Sequence, residues 1–400
     1  MNQRCVLAYS GGLDTTVAIG WLKDKYGCDV IAMAADVGQG VDADLLRERG
    51  LACGASEVIV VDAREEFARD FVVPALRANA LYMGKYPLVS ALSRPLIARH
   101  LVRVAREHDA TSVAHGCTGK GNDQVRFEVA TAALAPDITT LAPVRDAGLS
   151  RDAAIAYAED HDLPVPVTKS SPYSIDENLW GRTIECGALE DPWAAPPLDA
   201  YQWTENPATV TAPPDLCELR FDNGVPVAVD GTAMALVDLI PAVAARAGAQ
   251  GIGRIDMIED RLVGIKSREV YEVPGAVTLV AAHRDLEDLT LERDLGSFKR
   301  NIENTYAELV YNGLWFSPLR RALDAFIADS QRPVSGEVRV RLHRGVATVE
   351  GRRSDTALYS HGLATYDEGD AFDHAAAAGF VKLWGLPLKV WAERQPDDTV

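Results

Sequence analysis

Two loops of the sequence carry most of the residues that could do chemistry, and the first spans residues 8–16, AYSGGLDTT. Glycines let a backbone approach a phosphate closely, and the unpaired N–H groups at a helix N-terminus favour anions. Ser10, Thr15 and Thr16 add hydroxyl donors. Asp14 supplies a carboxylate that can share a magnesium ion with phosphates. The loop therefore predicts a phosphate site, the simpler alternative being a tight turn with a capping side chain.

The second loop spans residues 115–127, HGCTGKGNDQVRF. It holds three glycines, two cationic residues and four short polar side chains. Hydroxyl, amide and cationic donors of this kind suit small carboxylates. Because glycines are costly to order unless they serve a ligand, the loop predicts a carboxylate site rather than a plain polar surface loop. Ser10, Asp14, Thr15 and Lys120 are our candidates for stabilising phosphate charge, and no residue stands out as a general base.

Two other kinds of nucleotide motif are disfavoured. Residues 38–43, GQGVDA, match the GxGxxA dinucleotide fingerprint. The residues 8–16 already occupy the first strand-to-helix turn, so we predict a flexible loop near the adenosine instead of a NAD site. No Walker A sequence, GxxxxGK[ST], occurs in the chain. Its absence argues against a kinase or ATPase that transfers the γ-phosphate.

Alternating strand and helix patterns must position both loops. The spacing predicts strands at residues 6–9, 30–37, 57–62, 111–115 and 138–143, and helices at 14–26, 42–53, 65–80, 95–108 and 150–161. Pro74 is expected to kink the third helix. This alternation predicts an α/β fold with a Rossmann-like parallel sheet and helices on both faces. Ligands bind beyond the carboxyl ends of such strands, and both loops fall there.

The pattern changes after residue 161. The stretch 164–197 is rich in proline and serine and predicts a linker or an active-site loop. Asp222-Asn223-Gly224, between two apolar runs, predicts a hairpin. Residues 232–247 predict a helix, and residues 336–349 predict a second hairpin.

These patterns divide the chain into three parts. We predict a nucleotide-binding domain at residues 1–165, an α+β substrate domain at 166–365 and a C-terminal oligomerisation tail at 366–400. A predicted helix at 373–384 and many apolar residues lie in the tail. So much apolar surface favours packing on its own domain or on a neighbouring subunit.

Composition excludes several classes of protein. The formal net charge is −18, so the surface as a whole repels nucleic acids and anionic membranes. No apolar run approaches the roughly 18 residues of a membrane span. The six cysteines show neither CxxC nor structural-zinc spacing, which fits a reducing compartment. We therefore expect a cytoplasmic protein that binds small molecules and neither nucleic acid nor membrane.

Four sequence blocks resemble the argininosuccinate synthase family: AYSGGLDTT, HGCTGKGNDQVRF, SIDENLWGR and GIGRID…GIKSREVYEVP. The first alone resembles the PP-loop of ATP pyrophosphatases, which cleave ATP between the α- and β-phosphates. The second and third are far more specific, and AELVYNGLWFSP extends the likeness. The resemblance implies an AMP-forming ligase of arginine biosynthesis. It would use ATP and Mg²⁺ to activate citrulline as an adenylate, join it to aspartate, and work as a homotetramer.

The resemblance also implies roles for individual residues. ATP would contact Ala8, Tyr9, Ser10, Gly11, Gly12, Leu13, Asp14, Thr15, Thr16, Ala35 and Gly116, with Asp14 also at the metal. Aspartate would contact Thr118, Asn122 and Asp123. Citrulline would contact Tyr86, Asn122, Arg126, Ser174, Thr183, Glu259 and Tyr271. The residue types agree, because Arg126 suits a carboxylate and Glu259 an α-ammonium group.

Two positions depart from the family pattern. Ala91 stands where some members carry a serine that touches citrulline, so that contact is absent or has moved to Ser90. Thr183 stands where a serine is common and keeps the hydroxyl. Cys117 lies inside a motif without a nearby general base, and we interpret it as a packing residue rather than a nucleophile.

Three other functions are alternatives to this one. An amidotransferase-type synthetase would need a glutaminase domain, which the sequence does not show. A tRNA-thiolating enzyme should have a basic surface and often a cysteine pair, against a net charge of −18 here. A nucleotide-sensing protein without catalysis would bind ATP and form no AMP or pyrophosphate.

Overall fold

The computed structural model describes residues 3–148, 151–161, 163 and 173–395. It forms two units, residues 1–356 and residues 357–400. Part of the predicted linker, residues 164–172, lies outside the described residues. The predicted domain boundaries at residues 165 and 365 stay predictions.

A parallel sheet with strand order β3-β2-β1-β4-β5 begins the first unit and confirms the predicted fold class. Its strands are β1 (Arg4–Ala8), β2 (Asp29–Asp36), β3 (Glu57–Asp62), β4 (Ser112–Ala114) and β5 (Thr139–Leu141). The inner strands are buried on both faces, as their unbroken apolar runs predict. The strand order reverses between β1 and β4, which makes their carboxyl ends the switch point where open α/β sheets bind ligands.

Helices cover both faces of this sheet. They are α1 (Leu13–Tyr26), α2 (Ala43–Ala52), α3 (Arg64–Phe67), α4 (Val73–Arg77), α5 (Val89–Glu107), α6 (Asp123–Leu134), α7 (Pro143–Ala147) and α8 (Arg151–Asp160). A π-helical turn, Ala68–Val72, separates α3 from α4 just before Pro74, so the predicted irregularity is there.

The predicted start of α5 at Pro95 is wrong. The helix begins six residues earlier, at Val89, and carries Pro95 in its interior. A proline there removes one helical hydrogen bond. Val89 and Leu92 are fully buried, and packing of that first turn offsets the loss.

Two antiparallel sheets follow in the first unit, ordered β11-β12-β7-β6 and β10-β9-β8-β13-β14. The strands are β6 (Ser174–Asn178), β7 (Gly181–Glu185), β8 (Asp215–Asp222), β9 (Val225–Val229), β10 (Thr232–Ala233), β11 (Arg254–Asp260), β12 (Lys266–Glu272), β13 (Gly336–His343) and β14 (Val346–Arg353). Both predicted hairpins are confirmed, the first turning through Asn223 and Gly224 with positive φ.

Two expectations for this part need correction. The stretch predicted as a linker or loop includes the hairpin of β6 and β7. Residues 232–233 form β10 rather than the start of a helix, because Asp230 and Gly231 turn with positive φ and fold the chain back on β9. The helix begins only at Leu236. The remaining helices of the unit are α9 (Leu236–Ala249), α10 (Pro274–Thr290), α11 (Arg293–Tyr311) and α12 (Pro318–Ser330).

The second unit is helical. It contains α13 (His361–Ala364), α14 (His374–Trp384) and α15 (Leu386–Ala392). The carboxylate of Asp373 accepts a hydrogen bond from the Ala376 N–H at 3.0 Å and caps α14, close to the predicted start. These three helices bury none of their residues. Among the described residues of the chain, no helix is long and apolar enough to cross a membrane.

A buried polar network ties Asn79, which follows α4, to α10 and α11. The ammonium of Lys299, 1% exposed, lies 2.9 Å from Glu287 Oε1 and 3.0 Å from Glu303 Oε1. The amide of Asn79 donates to Glu287 Oε2 at 2.6 Å and to Glu303 Oε1 at 2.7 Å. Since buried carboxylates are costly without a cation, Lys299 is the charge on which the network depends.

We expect Lys299→Met to lower the free energy of unfolding by about 3–5 kcal/mol, because the buried Glu287 loses its lysine partner and Glu303 keeps only the more exposed Arg284, at 3.3 Å. Urea denaturation measures the change. Arg300→Met is the matched control, since Arg300 also pairs from α11 to α10, at 3.1 Å from Asp288, but both side chains are exposed. It should cost less than about 1 kcal/mol. Equal denaturation midpoints for the two variants would contradict the role given to Lys299.

Candidate functional site

The glycine turn between β1 and α1 has the geometry of an anion site. Gly12 precedes α1 in an extended conformation and has no side chain to cap the helix. Gly11 has a φ of 75°, and a Cβ there would lie 2.3 Å from Leu46 Cδ2, so only glycine fits. Ser10 Oγ lies 3.1 Å from Thr15 Oγ1. The turn therefore offers a helix N-terminus beside two linked hydroxyls, a donor set that suits phosphate oxygens.

Several residues predicted to contact the nucleotide turn their side chains elsewhere. Tyr9 and Thr16 are buried, and Tyr9 packs in the apolar core under the sheet. Leu13 packs against a small cluster formed with α8. Ala8 and Ala35 lie in β1 and β2, near their carboxyl ends. At these five positions, the backbone rather than the side chain is available to contact a ligand at the turn.

The two predicted loops meet at the switch point of the sheet. A Cβ on Gly116 would lie 3.0 Å from Thr15 Cγ2, so the loop after β4 rests directly on the first turn of α1. Gly116 is therefore close to the glycine turn, as expected. Asp14 lies exposed in that first turn.

Side-chain hydrogen bonds brace the start of the loop at residues 38–43, and the flexibility expected for this loop stays a prediction. The Gln39 side chain accepts from the Val37 N–H at 2.7 Å and donates to the Ala35 carbonyl at 2.8 Å. Asp36 accepts from the Gly38 N–H at 2.8 Å. The Gly38 N–H, the first backbone donor of the GxGxxA motif, is therefore already bonded within the protein.

A cluster of charges lies where the second loop enters α6. Asp123 accepts from Arg94 Nε at 2.8 Å through Oδ2, and from Arg126 Nη1 at 2.9 Å through Oδ1. The Arg126 guanidinium is buried and also donates to the Tyr311 carbonyl at 3.0 Å. Burial raises the pKa of Asp123, but the charges of Arg94 and Arg126 more than offset it and lower the pKa below its ordinary value. Asp123 is therefore a carboxylate at neutral pH.

The rest of the second loop is open to solvent. Thr118 and Lys120 are both exposed, so their side chains are accessible to a ligand. Cys117 is half-buried, and burial raises the pKa of its thiol well above the ordinary value. A thiol of raised pKa is a poor nucleophile, in agreement with the packing role predicted for Cys117.

One face of the sheet β11-β12-β7-β6 carries the other predicted residues. The strand register places Thr183 beside both Tyr271 and Asp176. Glu259 on β11 accepts a hydrogen bond from the Tyr271 hydroxyl. Ser174 lies two residues before Asp176 and shares this face, where it is exposed. The alternation of strand side chains thus brings together residues that are distant in sequence.

Tyr311, the last residue of α11, joins the loop to this sheet. Its hydroxyl accepts from Asn122 Nδ2 at 2.8 Å and donates to Glu259 Oε2 at 2.8 Å. The Tyr86 ring stacks on Tyr271 with 4.3 Å between centroids. Burial raises the pKa of Glu259 above its ordinary value, although the hydroxyls of Tyr271 and Tyr311 act in the opposite direction. Asn122, Glu259 and Tyr271 therefore lie in one hydrogen-bonded network around the Tyr311 hydroxyl.

The structure also places Ser90 among the residues predicted for citrulline. Ser90 Oγ donates to Asp176 Oδ2 at 2.5 Å and lies 3.3 Å from Thr183 Oγ1. Ala91 is buried on the same helix. That Ser90 replaces the contact missing at Ala91 stays a prediction.

Three residues of this network were missed by the sequence analysis. Asp176 and Tyr311 lie in the familial blocks SIDENLWGR and AELVYNGLWFSP, so their sequence context offered a signal. Arg94 lies inside α5 and belongs to no motif. Its Nη2 also donates to Asp176 Oδ2 at 2.6 Å, so it connects the loop to the sheet.

In the described part of the chain, no group of three or more His, Cys, Asp or Glu residues could hold a metal ion by itself. Asp14, the carboxylate predicted for magnesium, lies exposed beside the glycine turn. Mg²⁺ commonly binds through one or two carboxylates together with substrate phosphates.

Comparison with protein families agrees with this geometry. Residues 4–164 match the family model described as the arginosuccinate synthase N-terminal HUP domain. Residues 173–391 match the model described as the arginosuccinate synthase C-terminal domain. The two matches cover nearly all of the chain and include the glycine turn, the loop after β4 and the sheet face. Both domains of an ATP-dependent ligase are therefore present, and the chain belongs to the argininosuccinate synthase family.

Proposed function

We propose that the network around Asn122 is the site at which this ligase joins citrulline to aspartate, with ATP bound at the glycine turn. One observation carries the proposal: the Tyr311 hydroxyl bonds both Asn122, predicted for aspartate as well as citrulline, and Glu259, predicted for citrulline alone. Two substrates bound at these residues would be held side by side. Next to them, Gly116 and Thr15 bring the phosphate site against the same loop.

The residues have chemistry that fits these substrates. Glu259 and Asp123 would bind the two ammonium groups, and Arg126 would bind a carboxylate. The ureido oxygen of citrulline would attack the α-phosphorus of ATP and release pyrophosphate, whose charge the N–H groups of the glycine turn and the hydroxyls of Ser10 and Thr15 would stabilise. The amine of aspartate would then attack the ureido carbon of the adenylate and displace AMP. Positioning and charge stabilisation would supply the catalysis.

Mg²⁺ fits this site as an ion shared between the phosphates of ATP and Asp14. When bound, it would neutralise phosphate charge. Thr118 and Lys120, exposed on the loop after β4, would add a hydroxyl and a cation for aspartate or phosphate oxygens.

An omission assay tests the function directly. We expect pyrophosphate, AMP and argininosuccinate to form only when ATP, Mg²⁺, citrulline and aspartate are all present. With oxygen-18 in the ureido group of citrulline, the label should appear in AMP. Label that stays out of AMP would contradict the adenylate route, and turnover with another acceptor would contradict the choice of citrulline.

We expect Tyr311→Phe to raise the KM for citrulline and for aspartate about tenfold, because Asn122 and Glu259 lose their shared hydroxyl. The KM for ATP should stay within a factor of two. Tyr306→Phe is the matched control, since its hydroxyl also comes from α11 and donates to a carboxylate, Asp324, at 2.9 Å. Steady-state kinetics on both variants makes the comparison. Equal effects of the two substitutions on every KM would contradict the proposed site.

The second unit supports a homotetramer as the working form. Phe380, Leu383, Trp384, Leu388 and Trp391 are all more than half exposed. Exposed apolar surface on this scale favours a protein interface, and another copy of the chain is the partner we propose.

We also propose that the enzyme works in the cytoplasm, since all six cysteines are free thiols.

We expect deletion of the residues after Gly369 to dissociate the tetramer, because the apolar surface of α14 and α15 is lost. Size-exclusion chromatography with light scattering measures the mass of the truncated chain. Truncated protein that still elutes as a tetramer would contradict this role for the second unit.

A further inference from the structure

The tip of the β11–β12 hairpin reaches across to the loop after β4. The Leu262 N–H donates to Asn122 Oδ1 at 2.9 Å. One residue earlier, Arg261 Nη1 donates to the carbonyl of Lys120 at 3.2 Å. The hairpin therefore holds the loop by a backbone group and by a side chain.

The guanidinium of Arg261 is itself held from three further sides. Its Nη2 donates to Glu185 Oε2 at 2.7 Å and to Glu269 Oε1 at 2.5 Å. Its Nε donates to Ser267 Oγ at 2.7 Å. The Arg261 side chain is 16% exposed and Glu269 is 6% exposed, so the group is largely shielded from water. With its donors committed to the protein, Arg261 has little left for a substrate and acts on the loop instead.

The loop needs such support because of its composition. Residues 116, 119 and 121 are glycines, and ordering glycine backbone costs more entropy than ordering any other residue. At the end of the loop, Asn122 accepts a hydrogen bond from the Leu262 N–H through Oδ1 and donates one to the Tyr311 hydroxyl through Nδ2. If the loop is already ordered before the substrate arrives, the free energy of binding does not have to include the entropic cost of ordering it.

We propose that Arg261 is a positioning residue for aspartate, which holds the loop at residues 116–122 in its binding conformation without touching the substrate. This inference rests on the proposed function, in which that loop binds aspartate. A planar guanidinium can reach Glu185, Glu269, Ser267 and the Lys120 carbonyl together. A lysine ammonium keeps the charge but lacks this fork of donors.

The test is Arg261→Lys, which keeps a cation beside the two carboxylates and so protects the fold. We expect the KM for aspartate to rise at least tenfold, with kcat changed less than threefold and the KM values for ATP and citrulline within a factor of two. Arg268→Lys is the matched control. Arg268 is a buried, ion-paired arginine of the same hairpin, but it faces the opposite side of the sheet and pairs with Asp256 at 2.6 Å. That control should leave every KM within a factor of two.

Hydrogen exchange on the substrate-free protein gives a readout that does not depend on turnover. We expect faster exchange at residues 116–122 in Arg261→Lys than in Arg268→Lys, with similar melting temperatures. If exchange there is unchanged, or if Arg261→Lys raises all three KM values alike, the positioning role is overturned. If the wild-type chain does not consume aspartate but exchange in the loop is still faster in Arg261→Lys, Arg261 does hold the loop. In that case it is the proposed function that is contradicted.

Discussion

Both polar atoms of the Asn122 side chain are hydrogen-bonded within the protein, and the arrangement of the site depends on these two bonds. Its Nδ2 donates to the Tyr311 hydroxyl, and its Oδ1 accepts from the Leu262 N–H. An amide offers a donor and an acceptor at these two positions, whereas the carboxylate of an aspartate could not donate. The two partners come from the end of α11 and from the tip of the β11–β12 hairpin. One residue thus aligns the loop of the parallel sheet with the face of the antiparallel sheet.

The electrostatics of the site differ from those of the whole chain. A net charge of −18 repels anions at long range, so an anionic substrate depends on local cations. Arg94 and Arg126 provide them, each paired with Asp123 and largely buried. Burial strengthens these interactions because less water screens them. The same pairs keep Asp123 ionised, so the site presents a carboxylate and two cations within one small volume.

Aromatic rings and a remote polar network keep this volume rigid. Tyr82 stacks on Tyr311 with 3.5 Å between centroids, and Tyr86 stacks on Tyr271. Tyr82 and Tyr86 belong to one tight turn, closed by their own backbone bridge. Asn79, just before the turn, is bonded to the buried Glu287 and Glu303. Because α10 and α11 hold Asn79 through these bonds, they also help to place the rings of Tyr82 and Tyr86 in the site.

By itself, the sequence determined the class of the fold and the position of both loops after strands of the parallel sheet. Buried apolar runs followed by glycine-rich turns specify parallel strands with loops at their carboxyl ends, because both signals are local. Local propensity does not give the boundary of a helix where tertiary packing overrides it, as in the first turn of α5 before Pro95. Only the tertiary structure decided which side chains meet. Asp123 pairs with Arg94, 29 residues away in sequence, and Asn122 bonds to Tyr311, 189 residues away. Such pairs form because distant segments fold together, so their spacing in the chain does not predict them.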